Sequence, residues 1–171
     1  DTIDYVTIAT TGNATDFGNL SASSHKGGSF SNNVRGVMSL GAAGGPEAES
    51  RVNILEYVTI ANTGNSTDFG DLTVARSHTS STFASPTRGV VAGGYGTSSP
   101  YHVDVIDYVT IGSTGNATDF GNMSTTNYAI AGASSNTRGI IAGHLGNSLT
   151  DRIEYVTIAN TGNATDFGNL T

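Results

Sequence analysis

One pentapeptide written four times constrains this chain more than any other feature. Asp4-Tyr-Val-Thr-Ile8 returns as Glu56-Tyr-Val-Thr-Ile60, Asp107-Tyr-Val-Thr-Ile111 and Glu154-Tyr-Val-Thr-Ile158. Each copy runs into a nearly identical tail, Thr11-Gly-Asn-Ala-Thr-Asp-Phe-Gly-Asn-Leu20 in the first, with counterparts beginning at Thr63, Thr114 and Thr161. The Asp of the tail falls at 16, 68, 119 and 166, so the spacings are 52, 51 and 47 residues. Between the copies lies a looser second module: Arg35-Gly-Val-Met, Arg88-Gly-Val-Val-Ala-Gly-Gly94 and Arg138-Gly-Ile-Ile-Ala-Gly143.

The local chemistry is that of strands and turns. Tyr-Val-Thr-Ile alternates and is built from aromatic and β-branched residues, which suit a pleated surface. Thr-Gly-Asn supplies a turn, because Gly and Asn tolerate positive φ cheaply. Thr-Asp-Phe then returns as a partner strand, carrying the largest core side chain of each repeat. Gly-Val-Val-Ala-Gly-Gly fits a buried inner strand where backbones approach closely. No segment has a helical period. A single repeat cannot bury its own faces, so neighbouring copies must cover one another. A period near 50 matches four-stranded β-propeller blades. The sequence therefore predicts an all-β chain of about three and a half blades in one repeat domain: a half repeat over 1–20, then repeats over 21–72, 73–123 and 124–171.

Composition narrows the function classes. The net charge is −7, with Lys26 as the single lysine beside six arginines. Nucleic acids and anionic membranes, which need a basic track, are thereby disfavoured. No apolar run approaches the ~18 residues of a helical span. With no cysteine in 171 residues, there are no disulfides, thiolate metal sites or catalytic thiols. The chain begins at Asp1 without a signal peptide, and the sequence is expected to be processed or a section of something longer.

Arg76-Ser-His78, Gly89-Val-Val-Ala-Gly-Gly94, Asp104-Val-Ile-Asp-Tyr108, Asn116-Ala-Thr-Asp-Phe120 and Asn122-Met123 together resemble a kelch repeat. The family pattern has Arg and His on the first strand and a Gly-Gly doublet ending the second. A polar-aromatic third strand and an Asn-x-Trp-x-x-Leu fourth complete it. Here Phe stands in place of Trp. Repeat one has Leu40-Gly41 and a displaced Gly44-Gly45, and repeat three has Gly143-His144. The Arg-x-His element is missing near Asn127 and Tyr128. The resemblance implies a propeller and says little about function. The near-verbatim repeats are also similar to repeat regions of tail-fibre-like proteins of marine bacteriophages, which implies a virion or extracellular surface component that contacts a host cell.

Each candidate site residue has a plain structural alternative. Asp16, Asp68, Asp119 and Asp166 offer carboxylates, with Asn13 and Thr15 nearby as further calcium ligands. Identical repeats suit catalysis poorly, since it needs unlike groups with unequal pKa values; a turn or strand-end hydrogen bond is expected instead. Arg35, Arg88 and Arg138 are expected to tie one blade to the next, through a repeat carboxylate such as Asp68. The histidines at 25, 78, 102 and 144 share no repeat position and show no metal spacing, so neither metal nor cofactor is expected. Seven Asn-x-Ser/Thr triplets, at Asn13, Asn19, Asn65, Asn116, Asn122, Asn163 and Asn169, follow from copying the tail and are not by themselves a glycosylation signal.

Specificity belongs where the repeats disagree. The loops over 42–53, 95–103 and 144–152 vary while the hairpins barely change. Tyr95, Tyr101, His102, Tyr128 and His144 are the candidate ligand-binding residues, with apolar faces and polar tips suited to stacking on sugars. No nucleophile elbow or phosphate loop occurs, and the copper oxidases among kelch-like proteins need a cysteine-linked tyrosine that this chain lacks. The expectation is a non-catalytic adhesin or receptor-binding module of a phage tail fibre. Its partner would be a host-surface glycan or protein receptor, alongside further repeats of a longer chain or a homo-oligomer. The alternative is a structural protein that assembles through the open edges of its array. For the class, a far-UV circular dichroism spectrum dominated by β structure is the expected outcome, and a helical spectrum overturns it.

Overall fold

A computed structural model describes residues 1–44, 50–128, 130–143 and 151–171, and among these every regular element is a strand. The chain opens with a hairpin of β1 (Thr2–Tyr5) and β2 (Thr15–Asn19). β3 (Ser24–His25), β4 (Ser29–Ser31), β5 (Arg35–Ser39), β6 (Ala42–Ala43), β7 (Ser50–Arg51), β8 (Ile54–Thr59) and β9 (Thr67–Asp71) follow. They form a four-stranded antiparallel sheet β4-β5-β8-β9, called sheet I, with a small outlying sheet β3-β6-β7. Sheet II contains β10 (Arg76–Ser77), β11 (Thr82–Ala84), β12 (Arg88–Gly96), β13 (His102–Thr110) and β14 (Thr118–Asn127). Its order is β10-β12-β13-β14, with β11 pairing the other stretch of β12. Sheet III is β15 (Ala131–Ser134), β16 (Arg138–Ala142), β17 (Arg152–Thr157) and β18 (Thr165–Asn169), in chain order. None of the sheets closes on itself.

The register explains why the modules are so alike. Arg35, Arg88 and Arg138 lie opposite Thr59, Thr110 and Thr157. The Tyr two residues earlier then shares a face with the Arg, and each guanidinium sits over that ring at 4.6, 4.4 and 4.4 Å. In every copy the pairing slips beside the repeat acid: Glu56 faces Asp68 while Leu55 faces Gly70, leaving Phe69 as the extra residue. A bulge of this kind bends a strand and re-aims a side chain. It turns Phe17, Phe69 and Phe120 inward, where they are buried. The fourth Phe departs from the sequence expectation, because Phe167 of sheet III lies open.

Successive units are joined by one junction, made three times. The Gly64 N–H donates to the Phe17 carbonyl at 2.7 Å and the Ser66 N–H to the Asn19 carbonyl at 2.9 Å. Asn65 Oδ1 accepts the Asn19 N–H at 3.0 Å. Between sheets I and II, Gly115, Ala117 and Asn116 make the same three bonds to Phe69 and Asp71. Gly162, Ala164 and Asn163 repeat them on Phe120 and Asn122. The turn of one repeat thus grips the Phe-Gly-Asn (or Asp) strand of the repeat before it. Only glycine fits at the gripped position. A Cβ on Gly121, whose φ is +146°, would lie 2.5 Å from the Gly162 carbonyl oxygen.

Apolar packing completes the two junctions between the sheets. Phe30, Val37, Leu55, Phe69 and Leu72 of sheet I pack with Val91, Val109 and Ile111 of sheet II. Phe83, Val90, Ile106, Phe120 and Met123 of sheet II pack in turn with Ile141, Val156 and Ile158 of sheet III. Val109 with Ile111, and Val156 with Ile158, follow the alternation read from Tyr-Val-Thr-Ile, while Thr110 and Thr157 face outward. In the preceding copy Val58 is only half-buried and Ile60 is exposed, because no strand of the first hairpin covers them.

If the junction holds the array together, its glycine is the sensitive position. Gly121→Ala is expected to lower stability by about 1–3 kcal/mol more than Gly168→Ala. Gly168 has nearly the same φ (+142°), but nothing lies within 4 Å of its Cβ position. Urea denaturation of the two variants measures the difference, and equal losses would refute the junction.

Candidate functional site

Strands β12 and β13 of sheet II are continuous where the first repeat divides the matching stretches into β5 and β6, and β7 and β8. β12 and β13 run on past the core, and their extension is where aromatic side chains collect. Tyr95 faces His102 across the ladder, and the Gly96 N–H donates to the Tyr101 carbonyl at 2.5 Å, closing the hairpin. Tyr95 is the centre of the group. Its ring centroid lies 5.4 Å from that of Tyr101, nearly parallel, 5.5 Å from His102 and 5.3 Å from Tyr128. His102 stacks on Tyr128 at 4.7 Å.

Two further groups complete this patch. His78 meets Tyr128 edge-on at 5.3 Å and Tyr95 at 6.1 Å. Arg51, on β7 of the outlying sheet, places its guanidinium 4.5 Å above Tyr95 and 6.0 Å from Tyr101. His78 adopts a left-handed backbone, φ 56°, which costs a residue with a Cβ about 1–2 kcal/mol. Lys26, at the matching position of the preceding repeat, has φ 59°, so the left-handed residue belongs to the repeat and the patch uses it to present the His78 ring.

The strand that delivers His78 is anchored by a buried ion pair. Arg76 Nη1 contacts Asp107 Oδ2 at 2.8 Å, and both side chains are 0% exposed. Nη2 also donates to the Val91 carbonyl at 3.3 Å. Burial lowers the Arg76 guanidinium from its ordinary value, while the Asp107 charge and hydrogen bond oppose that shift. Asp107 in addition accepts from the Thr73 hydroxyl at 2.6 Å and the Thr73 N–H at 3.2 Å. Glu56 does the equivalent for Ser21 and for Ser66, the latter at 2.5 Å, and Glu154 accepts the Ser124 N–H at 3.1 Å. The acid that opens the second, third and fourth Tyr-Val-Thr-Ile therefore pins the link entering its own sheet, whereas Asp4 of the first is exposed.

Four of the five candidate ligand residues, Tyr95, Tyr101, His102 and Tyr128, come together here. His144 lies outside the described residues. Tyr95 is not a loop tip but the half-buried hub, whereas Tyr101 is exposed at 45%. Sequence reasoning did not single out Arg51 as a member, although it lies within the variable segment over 42–53. His78 was legible only as part of the Arg-Ser-His element.

The repeat Asp and Arg residues are placed elsewhere, and one expectation needs correcting. Arg35 and Arg88 do reach the following sheet, but they donate to main-chain carbonyls, of Ile111 at 3.1 Å and Ile158 at 3.0 Å, and not to Asp68. A planar donor held over a Tyr ring points along the sheet, toward strand ends rather than toward an exposed carboxylate. Asp16, Asp68, Asp119 and Asp166 are all exposed. The Asp119 and Asp166 carboxylates accept the Gly121 and Gly168 N–H groups at 3.1 and 3.2 Å. Among the described residues no three His, Asp or Glu side chains converge as metal ligands, and no helix is long and apolar enough to cross a membrane.

A separate cleft of about 400 Å³ opens between the turns at 31–34 and 84–86 and Asn136. Asn32 is already engaged there, accepting the Val34 and Arg35 N–H groups at 2.9 and 2.8 Å. The cleft offers amides and hydroxyls and no ionisable side chain. The aromatic patch is the richer surface: four rings of His and Tyr around a fifth, with one cation over them. No family model matches the chain, and no curated protein is significantly similar to it.

The ion pair beneath the patch gives a stability test. Arg76→Ala is expected to cost about 3–5 kcal/mol, because it strands a buried carboxylate. The double variant Arg76→Ala/Asp107→Ala should lose less than the two single losses combined. Chemical denaturation of all three checks both statements.

Proposed function

We propose that this chain supplies blades of a kelch-like β-propeller, larger or oligomeric, serving as a non-catalytic, receptor-binding module on a virion or extracellular surface, in the manner of a phage tail fibre. Its ligand is a surface glycan. Two features support the propeller: four-stranded antiparallel meanders repeat along the chain, and their first strands lie side by side, with the Thr82 hydroxyl donating to the Ser29 carbonyl at 2.7 Å and the Ser134 hydroxyl to the Ala84 carbonyl at 2.8 Å.

The observation that carries the glycan reading is the aromatic patch. Tyr95, Tyr101, His102 and Tyr128 come from three stretches of chain and meet around one hub, beside Arg51. Aromatic faces receive the C–H faces of sugars, while tyrosine hydroxyls, imidazole nitrogens and a guanidinium supply directional hydrogen bonds. Aromatic and Arg side chains are also those that dominate binding energies. Chemistry is a poor fit: Ser77 Oγ lies 3.1 Å from His78 Nδ1 beside the patch, but Ser77 is fully buried and out of reach of any bound molecule.

A second reading, assembly into a fibre or shell through open edges, is favoured by the apolar residues left bare at the two ends of the array.

The test of the glycan reading is binding of the 171-residue chain to an array of bacterial surface polysaccharides. Tyr101→Ala should weaken binding about tenfold or more, a loss of about 1.4 kcal/mol or above. The melting temperature should move little, because Tyr101 lies outside the buried core, 45% exposed. A wild-type chain that binds no polysaccharide, or a Tyr101→Ala variant that binds as well, overturns the assignment.

A further inference from the structure

The two ends of the array carry the two halves of the junction that holds its middle together. At one end stands the gripping half. Val6, Ile8, Gly12, Asn13 and Ala14 of the first hairpin correspond by repeat position to Val109, Ile111, Gly115, Asn116 and Ala117. In sheet II, Val109 and Ile111 are buried against sheet I. In the hairpin, Val6 is 55% and Ile8 98% exposed.

The opposite end presents the gripped half. Phe167, Gly168, Asn169 and Leu170 correspond to Phe120, Gly121, Asn122 and Met123, which sheet III covers. Here Phe167 is 52% and Leu170 48% exposed. Arg138 lies exposed where Arg35 and Arg88 reach across to an Ile carbonyl of the following sheet. Gly168 has open space where Gly121 has the Gly162 carbonyl.

We infer that a second copy of this chain docks head-to-tail, its 6–14 hairpin seating on the Phe167–Leu170 edge of the first through the same junction. The Gly12 N–H donates to the Phe167 carbonyl and the Ala14 N–H to the Asn169 carbonyl. Asn13 Oδ1 accepts the Asn169 N–H, and Arg138 reaches the Ile8 carbonyl. Val6 and Ile8 bury against Phe167 and Leu170. The contact joins two different surfaces, so it is heterologous and generates a ring or a filament rather than a face-to-face pair. This deepens the assembly reading and is independent of sugar binding.

The specificity of the junction supplies a diagnostic. The wild-type chain should associate with rising concentration in sedimentation velocity or native mass spectrometry. Ile8→Glu leaves the gripped half intact, Phe167→Glu leaves the gripping half intact, and each alone should be monomeric. Mixed together they should form a one-to-one dimer that grows no further. Asn13→Ala, which removes a single acceptor, should weaken wild-type association about fivefold. Ile8 projects almost wholly into solvent, and unchanged circular dichroism and melting of the variants exclude misfolding. A monomeric wild-type chain overturns both the inference and the assembly reading. Association that survives Ile8→Glu or Phe167→Glu, or a mixture that stays monomeric, overturns the head-to-tail junction while leaving assembly through another surface.

Discussion

Everything in this molecule hangs on three hydrogen bonds and a glycine with no room for a side chain. A hairpin or small sheet of about 20 to 50 residues cannot shield both faces of its own strands. Here each unit solves that by seizing the last strand of the unit before it: two turn N–H groups and an Asn side chain grip the Phe-Gly-Asn backbone. Each bond contributes about 1 kcal/mol net, and the larger return is geometric. With the strands registered, the bulged Phe lands on the Val, Ile and Ala of the following unit, and water leaves both faces together.

The buried acids of this stack are put to use at joints. Glu56, Asp107 and Glu154 are buried in strands that are otherwise apolar, and each accepts from the chain link that enters its sheet. Asp107 carries the heavier load because Arg76 is buried with it. Two charges taken out of water contribute little net stability but penalise any arrangement that separates them. That penalty fixes the path of β10 relative to β13, and so fixes where His78 enters the aromatic patch. Binding surface and scaffold are therefore coupled through one guanidinium.

Variation follows the same logic. The residues that form the junction cannot drift without losing both partners, which accounts for Thr-Gly-Asn and Asp-Phe-Gly surviving in every copy. Beyond the junction the ends of β12 and β13 are free to vary, and it is there that Tyr95, Tyr101 and His102 appear, where β6 of the first repeat carries Ala42 and Ala43. Sheet III lacks the first-strand Phe of the others, carrying Ala133 where sheets I and II have Phe30 and Phe83. Those two rings rest against Gly89 and Gly139 of the next sheet, where a Cβ would collide with them.

By itself the sequence determined the strand class, the period, the turn positions and the alternation of buried and exposed residues, because these depend on neighbours along the chain. It also marked the variable segment around Tyr95–His102 as the place to look for binding. What it could not determine was which repeated polar residue meets which. Asp68 and Glu56 look equally fit to hold an arginine or a turn, and only the packed arrangement shows Asp68 exposed and Glu56 buried on Ser21 and Ser66. Arg51 joined the patch from a strand some 44 residues before Tyr95, a meeting set by how the outlying sheet lies against β12. Contacts of that range are decided by mutual burial of whole faces, and no short stretch of sequence contains both partners.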